Sequence, residues 1–211
     1  MRVEKINYND YDDLFANTYL VIDDLNQVIV IDPSAGNNKL CEYIKKNNYS
    51  LKGVLLTHGH FDHMRGVNGL INEFHCPLYI HADEKEYLNN PRLNCSSWEN
   101  EELIIEAIPT FVKDNQELNI LNGDAIKVIH TPFHTKGSVC YYFVNNKWLF
   151  SGDTLFKMSI GRDDLPGAMP EKRRESLEKL KTLPKECKIY PGHGVNSTLE
   201  SELLLNRFFT R

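Results

Sequence analysis

Residues 57–63 read THGHFDH, so three of the chain's eight histidines and one aspartate fall within seven positions. Imidazole nitrogen and carboxylate oxygen are ligands of zinc and similar borderline cations, four or more to an ion at roughly 2.0–2.2 Å. If residues 57–60 continue an extended strand, His58 and His60 project to the same side and can share one cation. Asp62 and His63 follow one turn later, where the chain turns helical, and so face elsewhere. That arrangement suits a second ion about 3.5–4 Å from the first. Three distant residues share one setting: His134 after KVIHTPF, Asp153 after KWLFSG and His193 after CKIYPG. Each follows an apolar, β-like run in a turn rich in Gly or Pro, and loops on a rigid sheet often carry catalytic groups. His134 would complete the first set and His193 the second, with the Asp153 carboxylate free to bridge.

Charge favours catalysis over storage in such a site. Two divalent ions, two carboxylates and one hydroxide leave a net charge of about +1, enough to hold an anionic substrate or a developing oxyanion. A closed structural site would use thiolates, and the cysteines lie nowhere near the cluster. Any single histidine is more often a surface or satisfied core residue than a ligand. It is the joint occurrence of H-x-H-x-D-H with three further strand-end candidates that carries the metal reading. His75, His81 and His130 read instead as structural, with His130 best placed to brace a ligand from behind.

The elements that must position these residues are legible as periodicity. ANTYLVIDD and NQVIVIDP, separated by DLN, predict an antiparallel hairpin. GNNKLCEYIKKNN predicts a helix with Leu40, Tyr43 and Ile44 on one side. LKGVLLT is an apolar strand that feeds into THGHFDH. MRGVNGLINEF then reads as a helix, CPLYIH as a strand and ADEKEYL as a short helix. From residue 89 to 116 the pattern dissolves into a long connection, of the kind that often forms a lid or substrate wall. AIKVIHTP, GSVCYYFVNN and KWLFSGD predict a second strand-rich half. The helix PEKRRESLEKLKTL, the strand CKIYPGH and the helical TLESELLLNRFF close the chain.

Composition is that of a globular protein, 41% hydrophobic and 25% charged. The formal charge of −5 disfavours sequence-independent nucleic-acid binding, and EKRRE at 171–175 reads as a solvated helix face. Cys41, Cys76, Cys95, Cys140 and Cys187 form no CxxC pair. With an N-terminus that lacks an apolar signal-peptide core, this predicts a reduced, cytoplasmic protein with Cys140 and Cys187 in strands or core. No run reaches the length of a membrane span. One domain over 1–211 is expected, because neither linker nor repeat is visible.

As a set, these motifs resemble those of metallo-β-lactamase-fold hydrolases, and specifically the small, glyoxalase II-like (hydroxyacylglutathione hydrolase-like) branch. THGHFDH is similar to the family's H-x-H-x-D-H, TPFHTKGS to T-P-G-H-T-x-G-S, FSGDTLF to S-G-D-x-L-F and YPGHG to P-G-H-G. SIGRDDLPG at 159–167 resembles a segment of the small branch, and the likeness runs from NTYLVID to the final NRFF. The resemblance implies a four-layer αββα sandwich of two mixed sheets flanked by helices. It implies that His58, His60 and His134 bind one metal and that Asp62, His63 and His193 bind another, with Asp153 bridging. The ions would be zinc, with iron and manganese also suited to such ligands. A bridging hydroxide, oriented by Asp62, would attack the carbonyl of a lactoylglutathione-type thioester.

Three departures bear on the substrate. Phe133 stands in place of the motif's glycine and Lys136 in place of a proline, which predicts an altered pocket wall. The family's lysine and tyrosine after the aspartate motif are absent, leaving Arg162 in GRDDLPG as the available cation. The chain also ends before a C-terminal glutathione-binding helical domain would begin. A small-molecule thioester, with no nucleic-acid or membrane partner, is the expected substrate. A mononuclear iron persulfide dioxygenase is the alternative, and lactone or phosphodiester hydrolysis also suits the metal chemistry. β-Lactam hydrolysis ranks lower, because Asp153 stands where one lactamase class uses cysteine. An RNA-processing module ranks last, since no inserted domain or basic groove is visible.

Overall fold

Successive residues of the central strands point into different cores, and that alternation builds the layers. The computed structural model describes residues 1–6, 15–36, 38–100 and 102–209. One sheet orders β1 (Arg2–Ile6), β2 (Thr18–Ile22), β3 (Gln27–Ile31), β4 (Ser50–Leu55), β5 (Leu78–His81) and β6 (Thr110–Val112) side by side. β1, β2 and β3 are antiparallel neighbours, and β3 to β6 run parallel. The second sheet contains β7 (Glu117–Leu118), β8 (Ile126–His130), β9 (Val139–Phe143), β10 (Trp148–Gly152), β13 (Lys188–Pro191) and β14 (Ser197–Thr198). Its order is β14-β13-β10-β9-β8-β7, and only β10 and β13 pair in parallel. A small hairpin, β11 (Leu155–Phe156) and β12 (Ser159–Ile160), lies between β10 and β13 in sequence.

Tyr19, Val21, Ile29, Ile31 and Leu55 of the first sheet meet Val128, Tyr141, Phe143 and Phe150 of the second in one inter-sheet core. Their neighbours Leu20, Ile22, Val28, Val30 and Val54 face outward, onto α1 (Lys39–Lys46) and α3 (Val67–Phe74). On the far side Ile129, Cys140, Tyr142 and Leu149 pack under α4 (Arg173–Lys181) and α5 (Leu199–Leu205). The period-2 pattern thus gives both sheets two apolar faces, and helices cover the outer ones. This is the αββα arrangement expected from the sequence. The one-turn helix α2 (Phe61–Met64) follows β4. No helix of the described residues is long and apolar enough to cross a membrane.

ADEKEYL forms a short helix as expected, a 3-10 helix over Ala82–Asn89. One expectation changes. The 89–116 connection is more ordered than its sequence pattern: it contains a 3-10 turn, Ser96–Glu99, and then β6, which extends the first sheet. Buried Asn94 organises this stretch, donating from its side-chain amide to the carbonyls of Tyr87 (2.9 Å) and Leu103 (3.0 Å) and accepting from Ser96 N (3.0 Å). A polar hub takes the role that apolar periodicity plays elsewhere, so periodicity could not find it.

Candidate metal centre

β4 delivers the first ligand group at the edge where the two sheets meet. The carbonyl of Thr57 accepts from Val139 N of β9 (2.9 Å), and that of Leu56 accepts from the Tyr141 hydroxyl (2.9 Å). The histidine loop is therefore held by both sheets. His60 has extended backbone (φ −76°, ψ 146°) immediately before α2, which carries Asp62 and His63. His134 follows β8, Asp153 follows β10 and His193 follows β13.

The seven sequence-predicted residues come together in overlapping groups. His58 Nε2 lies 3.0 Å from His60 Nδ1, which lies 2.9 Å from His134 Nε2. Three imidazole nitrogens converging this closely form a donor set for a cation, and His58, His60 and His134 are one of the groups able to hold a metal ion. Asp62, His63 and His193 form another, with His193 Nε2 3.1 Å from Asp62 Oδ2. Asp153 stands between the two groups. Its Oδ1 is 3.3 Å from His63 Nε2, and its Oδ2 is 3.5 Å from His134 Nε2 and 3.7 Å from His193 Nε2. His63 Nε2 and Asp153 Oδ1 are buried without a hydrogen-bond partner, which a cation between the groups would satisfy.

Electrostatics separate the two groups. Burial, reinforced by neighbouring histidines, holds His58 well below the ordinary imidazole range and lowers His60 to about 3. Burial likewise lowers His134, so all three offer free lone pairs. His63 goes the other way. Burial pushes it down, but the carboxylates of Asp62, Asp153 and Asp32 outweigh that and raise it well above its usual value. Burial also pushes Asp153 and Asp62 up, and the histidines around them reverse the sign, so both stay ionised.

Supporting contacts fix the ligand orientations. Asp32, buried and at φ +51°, accepts from Thr57 N (2.8 Å) and Oγ1 (2.7 Å) and lies 2.9 Å from His63 Nδ1. The Arg162 carbonyl meets His134 Nδ1 at 2.7 Å. At Gly192 a Cβ would run into Asp153 Oδ1 and stand 2.7 Å from His63 Cε1, so only glycine lets the His193 turn approach this closely. Asp32 was not singled out in the sequence, although it ends the apolar run QVIVID just as Asp153 ends KWLFSG.

The centre floors a cavity of about 440 Å³ walled by Phe61, Cys95, Trp98, Phe156, Arg162 and Leu165. A larger one, about 540 Å³, lies by Lys157, Tyr190 and Leu205 and includes none of the seven residues. Arg162 reaches the cavity as expected, with its guanidinium paired to Asp164 at 2.6 and 2.9 Å. Phe133 does not. Its ring is fully buried and forms no part of that wall, because an apolar ring gains more in the interior than at a wet cavity. His130 also departs from expectation. It stacks on His81 (4.0 Å, 14°) and its Nε2 meets the Lys136 carbonyl at 3.0 Å, so it braces the loop after His134 rather than a ligand. His81, Asp83 and His130 form a further potential metal group, but near-parallel rings do not aim their lone pairs at one point.

Comparisons with known proteins identify the family and the fold. Residues 11–193 match the metallo-beta-lactamase superfamily. A probable metallo-hydrolase, YqgX, of Bacillus subtilis is 34% identical over 195 residues, 92% of each chain. A hydroxyacylglutathione hydrolase of Prochlorococcus marinus is 36% identical over 173 residues, 79% of this chain and 60% of that protein. Among solved structures, the BLEG-1 B3 metallo-beta-lactamase superposes with a TM-score of 0.91 at 31% identity and full coverage of both chains. TTHA1623 in a di-iron-bound form gives 0.83 at 31% identity, covering 99% of this chain and all of that one. With a family match across most of its length, relatives of this identity and the fold itself, the chain belongs to the metallo-β-lactamase superfamily and is a metallo-hydrolase.

Proposed function

We propose that this metallo-hydrolase is dinuclear and cleaves small thioesters. The observation that carries the reading is Asp153, whose two carboxylate oxygens face both histidine groups at 3.3–3.7 Å. His58, His60 and His134 would hold one divalent ion and Asp62, His63 and His193 the other, with Asp153 between them. Zinc, iron or manganese fits this donor set. When bound, the ions supply Lewis acidity toward the substrate carbonyl and an acidified water.

The chain's own residues do the rest. The Asp62 carboxylate, ionised and lining the cavity, accepts the hydrogen bond that aims the attacking water and then takes its proton. His63 is oriented by Asp32, and His134 by the Arg162 carbonyl. Phe61, Trp98 and Phe156 give the cavity an apolar wall against which a substrate can pack, and Arg162, shared with Asp164, brings a cation to the rim for an acidic substrate group.

Kinetics with purified, metal-replete protein on a panel of acyl thioesters, S-lactoylglutathione included, test this. Turnover is expected, lost on chelation and reduced about 10²–10⁴-fold in Asp62→Ala. Inactivity across the panel would sink the proposal. A second reading, β-lactam hydrolysis, is favoured by the close superposition on the B3 enzyme. A β-lactam in the same panel separates the two. Oxygen uptake with a persulfide at one iron per chain would replace both with a dioxygenase.

A further inference from the structure

Glu84 is fully buried and has no salt-bridge partner among the described residues. Leaving a carboxyl in such a place is costly unless its oxygens are specifically used. Here both oxygens are used. Oε2 accepts from Gly59 N at 2.7 Å, and Oε1 accepts from Gly137 N at 2.7 Å. Gly59 is the residue between His58 and His60, and Gly137 lies three positions after His134. One side chain on the 3-10 helix Ala82–Asn89 therefore joins the two loops that carry the whole imidazole triad. The Thr135 hydroxyl also bonds to it, and burial raises its pKa to about 7 against the pull of these bonds.

Both contact points are glycines for a steric reason. A Cβ at Gly137 would stand 2.7 Å from Glu84 Cγ and 2.8 Å from Oε1, and one at Gly59 would run first into Tyr87 Cβ, on the same 3-10 helix, and stand 3.0 Å from Glu84 Oε2. Two backbone N–H donors on separate loops need two acceptor oxygens on one rigid group. Among side chains of this length a carboxylate supplies that, whereas an amide offers one oxygen and turns a donor toward the second N–H.

We infer that Glu84 is a positioning residue, a carboxylate clamp that sets the spacing of the His58–His60 loop against the His134 loop and so preorganises one of the two metal subsites. The inference rests on reading His58, His60 and His134 as the ligands of one ion. Glu84 does not touch the Asp62, His63 and His193 group, so its loss acts on one subsite.

Stepwise dissociation constants for Co(II), measured by competition on the full chain, test it. Glu84→Gln is expected to weaken one ion about 10–100-fold and leave the other unchanged. The ion weakened should be the one weakened by His60→Ala and not the one weakened by His193→Ala. Glu86→Gln, at an exposed neighbour paired with Lys136, should alter neither constant. Unchanged constants in Glu84→Gln, or equal weakening of both ions, would overturn the clamp. Wild-type protein that binds no ion would overturn the metal reading itself, which is a distinct result. If Glu84→Gln does not fold, amide exchange on the metal-free wild type decides. Slow exchange at Gly59 and Gly137 supports the clamp, and fast exchange at either refutes it.

Discussion

Asp32 holds Thr57 with both carboxylate oxygens and His63 with one, so a single side chain orients the residue before the ligand loop and a ligand within it. Removing such a support typically costs a metal site 10–100-fold in affinity. Asp32→Ala should therefore weaken the ion held by Asp62, His63 and His193 by roughly that factor, read by the same Co(II) competition. An unchanged constant would mean that packing alone orients His63. The seven ligand candidates were legible because histidine is rare and the cluster dense. Asp32 and Glu84 were not, because an aspartate at the end of a strand and one of several acidic residues in the short helix ADEKEYL carry no mark of burial in the sequence. Each is buried by partners distant in sequence. Phe133 was misread for a related reason: motif position tells what replaced glycine, not which way the ring turns.

At the scale of elements, the strands were readable from alternating apolar residues and the ligands from their position at strand ends. The stretch between β5 and β6 was not, since Asn94 and backbone bonds order it in place of a repeating apolar face. Its function as a wall does follow from the structure. The Asn94 carbonyl accepts from Phe61 N at 2.9 Å, which docks the segment onto the ligand loop between His60 and Asp62. Trp98 is thereby held at the cavity while remaining 58% exposed, an arrangement suited to contact with a ligand. That contact would be made alike in ground and transition states, so Trp98→Ala should raise KM about fivefold, near 1 kcal/mol, with kcat little changed. A fall in kcat at constant KM would instead place Trp98 in the chemistry.

For the whole molecule, the origin of the ligands has a thermodynamic consequence. His58, His60, Asp62 and His63 are attached to the first sheet, and His134, Asp153 and His193 to the second. Without ions, the edge between the sheets is closed by the Val139–Thr57 and Tyr141–Leu56 bonds and by a set of acidic and basic groups at close range. Ions bound there tie one sheet to the other in the native state and lose their sites in the unfolded chain. Linkage then requires stabilisation of about 4 kcal/mol for each ion when free metal exceeds its Kd a thousandfold. For a chain of this length each kcal/mol moves Tm by roughly 2–4 °C, so removal of both ions should lower Tm by about 20 °C. Calorimetry of the same sample before and after chelation measures this, with re-addition of metal restoring the midpoint. Asp153→Ala, which removes the carboxylate between the groups, should shrink the metal-dependent shift. A Tm indifferent to chelation would show that the two sheets are held by their shared core alone and that the cluster does not bind ions tightly.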